Sequence, residues 1–344
     1  MNCLRSLDVI WAILFFFAFV QTSRSCWGPG SLQYGYTTSD YDLNVGSDLI
    51  VDCILESGIL PNINVSVNSS YLIFQRDSNH QIFSSYTHQI DKLTSQLRIP
   101  NANVSDSGLY HCQIVFPDNS KHLVCSTKVF VGYPPKNVSN FKCISRNFDN
   151  LTCTWEIESS YIKTTYTLTV NLLSDDISMH CPEPNNDTFC QWTEDTNPPY
   201  FTMIRNLTFV INGNNSLGTI ENIFKFDHFA IVIPNSPEKL TAIDVGQKSF
   251  TVEWSPPNIP RSFEKPALFY QVWLEELEPN PGNKTVIDVG AEKLNFTFEN
   301  LLPVSKYNVS VRCRSNYTFD EDMWSPFIST VIKTYPYVSH LFMK

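Results

Sequence analysis

Two cysteines and a nearby tryptophan constrain the fold of this chain more than any other feature of its sequence. Nine residues separate Cys143 from Cys153, and Trp155 follows two positions later. The residues around Cys153 alternate between apolar and polar, a period of two that is typical of a half-buried β-strand. We therefore expect Cys153 and Trp155 to point into a β-sandwich, with a disulfide to Cys143 on the adjacent strand. A disulfide that closes so short a loop contributes roughly 3 kcal/mol by chain-entropy arguments.

The pattern of Cys, nine or ten residues, then Cys-x-Trp resembles the first fibronectin-like module of class I (haematopoietin-type) cytokine receptors. Within the segment 134–233, Cys181 and Cys190 follow as a second sequential pair, which also resembles that module. The resemblance implies two disulfides, Cys143 to Cys153 and Cys181 to Cys190. From the first stretch alone, an unrelated disulfide in some other secreted β domain is the alternative.

Residues 1–25 predict a secretory signal peptide. Arg5 precedes an uncharged apolar run over residues 9–20, and small residues follow before an expected cleavage near Cys26. This is the order of charge, apolar run and small residues that signal peptides have, and an uncleaved anchor is the alternative. No later apolar run has the length of a membrane span. We therefore expect a secreted, extracellular chain, unless it is a fragment or splice form of a longer protein.

Composition supports an extracellular placement. The chain has 10 cysteines and a formal net charge of −10. The acidic balance argues against a nucleic-acid partner, which requires clustered Lys and Arg. Asn-x-Ser/Thr sequons in every segment predict a heavily glycosylated surface. The sequon asparagines are Asn64, Asn68, Asn103, Asn137, Asn150, Asn186, Asn206, Asn214, Asn283, Asn295, Asn308 and Asn316.

Residues 26–133 predict an immunoglobulin-like domain. The sequence DSGLYHC places Tyr110 two positions before Cys112. A tyrosine at this distance from the second cysteine forms the corner hydrogen bond of immunoglobulin domains. We expect Cys112 to bond to Cys53 across the two sheets. Phe74 is expected at the core position where these domains usually have Trp.

Three cysteines of the mature chain remain outside these pairs. Cys26 and Cys125 could join the first strand of the immunoglobulin-like domain to its last strand, because these strands lie side by side in that fold. Removal of the signal peptide leaves an odd number of cysteines, so one is unpaired. We expect Cys313 to be that residue, as a buried thiol on an inner strand face. A reactive or intermolecular role for it is the alternative.

Residues 234–335 predict a fibronectin type III module, and residues 336–344 form a tail. The stretch from Leu301 to Tyr307 resembles the Leu-x-Pro…Tyr corner of that fold. With the immunoglobulin-like domain and the four-cysteine module, this gives an all-β chain of three tandem β-sandwiches. The layout resembles that of the tall class I receptors for interleukin-6-type cytokines and of the Domeless-type receptors.

A tryptophan motif near the end of the third module strengthens the resemblance. Trp324-Ser-Pro-Phe327 matches the first Trp and Ser of the family's Trp-Ser-x-Trp-Ser motif, has Phe for the second Trp, and lacks the final Ser. Arg312 and Arg314 lie on the outward face of the preceding strand. The resemblance implies that the two aromatic rings interleave with these two guanidinium groups in a cation–π ladder.

The resemblance also implies a binding site. Loops at the elbow between the second and third domains would bind one face of a four-helix cytokine, with a signalling receptor chain as a further partner. Exposed aromatic residues and Arg are favoured at the centres of such interfaces. Each candidate could instead cover the open end of its own domain. The candidate contact residues are Tyr200, Phe201, Arg261, Phe263, Tyr317 and Phe319.

No hydrolase, metalloprotease or nucleotide-binding motif occurs in the sequence. We therefore expect no enzyme activity, no cofactor and no metal site. The leading hypothesis is a secreted receptor-like protein that binds a helical cytokine and acts as a decoy or modulator of JAK/STAT-type signalling. One alternative is the truncated ectodomain of a membrane receptor. Another is a cell-adhesion protein built from immunoglobulin and fibronectin modules, against which the paired cysteines of the second domain weigh.

Overall fold

A computed structural model describes most of the chain, and the described part is built from β-strands and short 3-10 turns. The predicted signal peptide, most of the predicted tail and Cys26 lie outside the described residues. None of the helices among the described residues has the length and apolar character needed to cross a bilayer. The described residues are 34–56, 67–76, 81–173, 177–182, 187–200, 205–259 and 267–337.

The chain divides into two compact units. One contains the residues up to Pro135 together with 159–164 and 215–218, and the other contains the remainder. Three clusters of buried apolar side chains form the cores, one in the first unit and two in the second. The prediction of an all-β chain of several β-sandwiches is confirmed. The 3-10 turns are Ser69–Tyr71, Ser84–Tyr86, Val104–Asp106, His228–Ile231 and Glu321–Met323.

The first unit holds a sandwich of the immunoglobulin type. Its strands are β1 (Gly35–Thr37), β2 (Tyr41–Asn44), β3 (Leu49–Leu55), β4 (Leu72–Arg76), β5 (Gln81–Ile82), β6 (Thr87–Gln89), β7 (Thr94–Ile99), β8 (Gly108–Val115) and β9 (Lys121–Gly132). One sheet has the order β1-β3-β7-β6 and the other the order β2-β9-β8-β4-β5. Strand β2 runs parallel to β9. Burial alternates strictly along β3, because successive side chains point to opposite faces.

A disulfide, a phenylalanine and a tyrosine organise the core of the first sandwich. The Cys53–Cys112 disulfide joins the two sheets. Phe74 is fully buried and lies directly opposite Cys112 on the neighbouring strand. The Tyr110 hydroxyl donates a hydrogen bond of 2.5 Å to the carbonyl oxygen of Asp106. Burial raises the pKa of Tyr110 to about 12, so the hydroxyl remains a donor at neutral pH.

The second sandwich begins the second unit. Its strands are β10 (Ser139–Arg146), β11 (Asn150–Glu156), β12 (Thr165–Leu173), β13 (Ile177–His180), β14 (Phe189–Thr193), β15 (Asn206–Asn215), β16 (Gly218–Asp227) and β17 (Val232–Ile233). The sheets have the orders β14-β11-β10-β17 and β13-β12-β15-β16. Strand β17 runs parallel to β10 and ends the sandwich at its junction with the third.

Three cysteines lie in one row across the first of these sheets. Cys153 stands opposite Cys143 on one side and opposite Cys190 on the other. Cys153 bonds to Cys143, and Cys190 bonds to Cys181 of the opposite sheet. Trp155 lies two positions further along the same inner face and is 4% exposed. The opening motif of the sequence therefore forms the centre of this core.

The third sandwich completes the second unit. Its strands are β18 (Glu238–Ile243), β19 (Phe250–Ser255), β20 (Leu268–Glu278), β21 (Lys284–Ala291), β22 (Asn295–Phe298), β23 (Lys306–Ser315) and β24 (Ile328–Lys333). The sheets have the orders β18-β19-β22 and β21-β20-β23-β24. At the predicted corner, the backbone N–H of Leu302 donates a hydrogen bond of 2.9 Å to the hydroxyl of Tyr307.

The two remaining described cysteines differ in their state. Cys125 is disulfide-bonded, and its expected partner lies outside the described residues. Cys313 is a free, fully buried thiol on the inner face of β23. Burial raises the pKa of the Cys313 thiol to about 12, because the thiolate would be desolvated.

The state of Cys313 can be tested by labelling. We expect a thiol reagent at pH 8 to leave Cys313 unmodified in the folded protein and to modify it after denaturation, as mapped by peptide mass spectrometry. The contribution of this thiol to stability should be constant below about pH 8 and fall as the pH rises towards 12, because only the unfolded thiol ionises in that range. Rapid labelling of the folded protein would contradict its burial.

The corner hydrogen bond of the first sandwich can be tested by removing one hydroxyl. Tyr110→Phe leaves the partly buried carbonyl oxygen of Asp106 without its donor and should lower the free energy of unfolding of the first sandwich by about 1–2 kcal/mol. Urea denaturation followed by fluorescence measures the change. Tyr86→Phe is the matched control, since Tyr86 is 40% exposed and should be nearly neutral. Equal effects of the two substitutions would contradict the role of the Tyr110 hydroxyl.

Candidate protein-binding surface

The second and third sandwiches share buried apolar packing. Phe148, Phe229 and Val232 come from the second sandwich but pack in the core cluster of the third. Phe148 lies in the turn between β10 and β11, is 2% exposed, and has a φ of +62°. A non-glycine residue in this left-handed conformation costs on the order of 1–3 kcal/mol. The burial of its ring in the shared core offsets this cost.

Hydrogen bonds from Asn147 fix the same junction. Its backbone N–H donates to the carbonyl oxygen of Ile233 at 2.9 Å. Its side-chain Nδ2 donates to the carbonyl oxygen of Asn258 at 3.0 Å, and its Oδ1 accepts from the N–H of Asn235 at 3.3 Å. Because Asn147 is buried, these bonds are shielded from water and hold the two sandwiches in one geometry.

Tyr317 lies beside this shared core, in the loop that follows β23. Its ring centroid is 5.6 Å from that of Phe229 and 4.6 Å from Cζ of Arg205. Arg205 in turn donates to a carboxylate oxygen of Asp227 from Nε at 3.1 Å and from Nη2 at 3.0 Å. Tyr317 is 42% exposed, so a ring that is braced on one side faces solvent on the other.

Phe319 is the most exposed of the large apolar side chains in the described residues, at 85%. Its ring centroid lies 5.4 Å from Cζ of Arg314. Tyr317 and Phe319 thus lie two positions apart on one loop, which contacts the second sandwich through Tyr317. The other predicted contacts Phe201, Arg261 and Phe263 lie outside the described residues.

Tyr200 was expected to be an exposed contact residue, but the structure shows that it is buried. Its side chain is 8% exposed and packs in the core cluster of the second sandwich. The hydroxyl donates to Oγ of Ser145 at 2.8 Å and also contacts Nε2 of the fully buried His228. Burial raises the pKa of Tyr200. The flanking prolines and polar residues indicated a surface loop, but the ring fills the end of its own domain.

The tryptophan motif interleaves with two arginines next to this loop. Cζ of Arg312 lies 4.4 Å from the ring centroid of Trp324 and 5.1 Å from that of Phe327. Cζ of Arg314 lies 5.0 Å from the ring centroid of Trp324. Contact of Arg314 with Phe319 extends the ladder into the loop at the elbow. One contact of the ladder therefore reaches the ring of Phe319, most of which faces solvent.

Strand β20 contributes ladder residues that the sequence analysis missed. Trp273 lies 5.1 Å from Cζ of Arg312, and Phe269 lies 4.9 Å from Cζ of Arg314, measured to the ring centroids. Nζ of Lys284 lies 3.6 Å from the ring centroid of Trp273. The signal that could have found them is the spacing of two aromatic residues on one face of β20, but their pairing with β23 is a long-range contact.

Acidic and polar side chains surround Arg312. Its Nε donates to Oε1 of Gln271 at 2.9 Å, and its Nη2 lies 3.7 Å from a carboxylate oxygen of Glu321. Trp324 Nε1 donates to the same oxygen of Glu321 at 3.1 Å. Partial burial lowers the pKa of Arg312, while Glu321 and Asp288 oppose that shift. The guanidinium stays charged at neutral pH, as a cation–π ladder requires.

The described sequon asparagines are all at least partly accessible. Asn150 and Asn308 are half-buried within strands. Asn64 and Asn186 lie outside the described residues. The exposed sequon asparagines are Asn68, Asn103, Asn137, Asn206, Asn214, Asn283, Asn295 and Asn316.

The chemistry of the elbow suits recognition of another protein. Aromatic rings and guanidinium groups dominate interface centres, whereas catalysis requires a nucleophile, an acid–base pair or a metal. Within the described ranges, no group of three or more His, Cys, Asp or Glu side chains is arranged to hold a metal ion.

Comparisons with known proteins give a domain match and several relatives. Residues 235–331 match the model of the fibronectin type III domain family. The chain is 22% identical to the leukemia inhibitory factor receptor of Canis lupus familiaris over 310 residues, which are 87% of this chain and 25% of that receptor. It is 21% identical to the human interleukin-6 receptor subunit beta over 309 residues, 88% of this chain and 32% of that protein. It is 24% identical to a Drosophila melanogaster cytokine receptor over 225 residues, 63% of this chain and 16% of that receptor.

The stacking of Arg312 can be tested by truncation. Arg312→Ala removes its ring contacts and should lower the free energy of unfolding of the third sandwich by about 1–2 kcal/mol, since each exposed cation–π contact contributes about 0.5–1 kcal/mol. Thermal or urea denaturation measures the loss. Lys306→Ala is the control, because Lys306 forms an exposed ion pair of 2.8 Å with Glu278 in the same sandwich and should matter less. An Arg312→Ala protein as stable as the parent would show that the ladder does not support the fold.

Proposed function

We propose a function from one premise: the chain is related to the ectodomains of class I cytokine receptors, at low identity over most of its length. These relatives are non-enzymatic receptors, and the chain spans 25% of the length of the canine leukemia inhibitory factor receptor. We propose that this chain binds a helical cytokine at the elbow of the second and third sandwiches. The single observation that carries the proposal is the loop that presents the ring of Tyr317, which packs on Phe229 and Arg205, together with the 85% exposed ring of Phe319.

Preorganisation favours Tyr317 as a contact. Its ring is held between Phe229 and Arg205, and Arg205 is held by Asp227. A side chain that is already ordered loses little conformational entropy when a partner binds, and fixed aromatic rings are common hot spots. The shared core beneath the ring also keeps the surface rigid.

Among the proposed contact residues in the described part of the chain, Phe319 would bury the most apolar surface when a partner binds. An 85% exposed ring that becomes fully buried contributes about 1.5–3 kcal/mol. This corresponds to roughly 10–150-fold in the dissociation constant. The gain is available only to a partner with an apolar cleft, such as the groove between two helices of a bundle.

Acidic residues follow Phe319 directly and define a charged rim. Asp320, Glu321 and Asp322 are all exposed, although Lys142 lies 3.7 Å from a carboxylate oxygen of Asp322. Complementary charge steers association and selects partners more than it adds affinity. We therefore propose that the cytokine face beside the Phe319 cleft is basic.

We further propose that the chain acts as a decoy or modulator of JAK/STAT-type signalling. A protein that binds the cytokine at a receptor-like elbow competes with signalling receptors by mass action. The proposal is supported by the relationship to receptor chains and by the predicted secretory signal. A helical cytokine and a signalling receptor chain are the proposed partners.

Binding to a panel of purified four-helix cytokines tests the proposal. We expect saturable binding to at least one, measured by surface plasmon resonance, and a loss of about 10–100-fold with Phe319→Ala. Tyr335→Ala is the matched control, since Tyr335 is 57% exposed at the opposite end of the third sandwich and should change affinity about twofold or less. Absence of saturable binding, or equal binding by a folded Phe319→Ala protein, would contradict the proposal.

The decoy role has its own test in responsive cells. Addition of the purified chain should lower cytokine-induced STAT phosphorylation in a dose-dependent manner, because bound cytokine is withheld from the cell. The Phe319→Ala protein should be a weaker inhibitor by the same factor as its loss of affinity. Unchanged or increased phosphorylation at saturating concentrations would exclude a decoy.

A further inference from the structure

The outer face of the sheet β21-β20-β23-β24 carries a second surface, which lies further along β23 from the elbow loop. On this face Asn308 of β23 stands directly opposite Val331 of β24, and Ser310 stands opposite Ser329. On its other side Ser310 stands opposite Trp273 of β20. Cross-strand partners on one face have Cβ atoms roughly 4.5–5.5 Å apart. These five side chains therefore form one continuous surface.

Three apolar side chains on this face are exposed to solvent. Val331 is 60% exposed, Val286 is 51% exposed and Phe327 is 37% exposed. Val286 stands opposite Trp273. Val331, Val286, Phe327 and Trp273 are together called the apolar strip. Strand β24 forms an edge of its sheet. An exposed apolar edge strand is a template for pairing with another chain, and proteins usually protect such edges.

The centre of this face is polar and is formed by short side chains. The hydroxyl groups of Ser310 and Ser329 form a hydrogen bond of 2.8 Å with each other. Their short side chains leave a shallow floor between Trp273 on one side and Val331 on the other. A sugar ring has hydroxyls that could hydrogen-bond to Ser310 and Ser329 and an apolar C–H face for Val331, so its chemistry suits this surface.

Strand β23 carries a sequon whose side chains lie on this polar surface. Asn308-Val309-Ser310 is an Asn-x-Ser sequence in β23. Val309 is fully buried, so Asn308 and Ser310 on either side of it point outward. Four sequons lie in the third sandwich, and only Asn308 lies within a strand of this sheet. A glycan on Asn308 would begin beside Val331.

We propose that an N-linked oligosaccharide on Asn308 covers the apolar strip and protects the edge strand β24. In the secretory pathway, Nδ2 of Asn308 loses a proton and bonds to the anomeric carbon of a lipid-diphosphate oligosaccharide donor. The lipid diphosphate leaves with the electron pair of the broken bond. The first sugars then lie over Ser310 and Ser329, with their C–H face towards Val331. The proposal requires secretion but does not depend on cytokine binding.

Site occupancy and single-site variants test the proposal on the full chain secreted from eukaryotic cells. Peptide mass spectrometry should find Asn308 glycosylated. Asn308→Gln should lose monomer to dimers and larger species in size-exclusion chromatography. Asn295→Gln is the matched control, because Asn295 is an exposed sequon residue on β22 of the opposite sheet, where Glu253 stands opposite it. This control should remain monomeric to the same extent as the parent.

A second substitution distinguishes exposure of the apolar strip from a failure of the protein to fold. Val331→Thr keeps the branched side chain and makes the strip less apolar, so the double variant Asn308→Gln with Val331→Thr should regain the monomer. An unmodified Asn308 would overturn the proposal. So would an Asn308→Gln protein that associates no more than Asn295→Gln, or one whose loss of monomer is unaffected by Val331→Thr.

Discussion

The packing of Phe148, Phe229 and Val232 into the core of the third sandwich is the interaction on which the candidate site depends. Two separate sandwiches on a flexible connection would present their loops at many angles. Here the second sandwich contributes part of the third core, and Asn147 adds buried hydrogen bonds to the same junction. The loop carrying Tyr317 is therefore held against a fixed neighbour, which reduces the entropy lost when a partner binds.

Strand β23 connects this core to the surface. Its inward residues, such as Val311, are fully buried, whereas Arg312 and Arg314 alternate with them on the outer face and stack on aromatic rings. The ladder leads along the strand to Phe319, just beyond its end. The alternation of side chains along β23 thus supplies residues both to the core and to the cation–π ladder, which extends to Phe319. The same face, further along, carries Asn308 and the edge strand.

Local patterns in the sequence predicted the parts of the fold that depend on neighbours along the chain. The alternation around Cys153 and the position of Tyr110 before a cysteine each correspond to the observed strands and contacts. Features that depend on distant segments were not predictable in the same way. Trp273 joined the ladder through pairing of β20 with β23, and Tyr200 was buried by contacts with Ser145 and His228, which its own flanking residues do not reveal.

Hydrogen–deuterium exchange of the chain with and without a bound four-helix cytokine tests the central claim most directly. The claim is that the rigid elbow, and not the first sandwich, is the docking surface. It predicts slower exchange of backbone amides in the loop from Asn316 to Asp322 when the cytokine is added, with little change in strands β1 to β9. Protection confined to the first sandwich, with the loop after β23 unaffected, would contradict it.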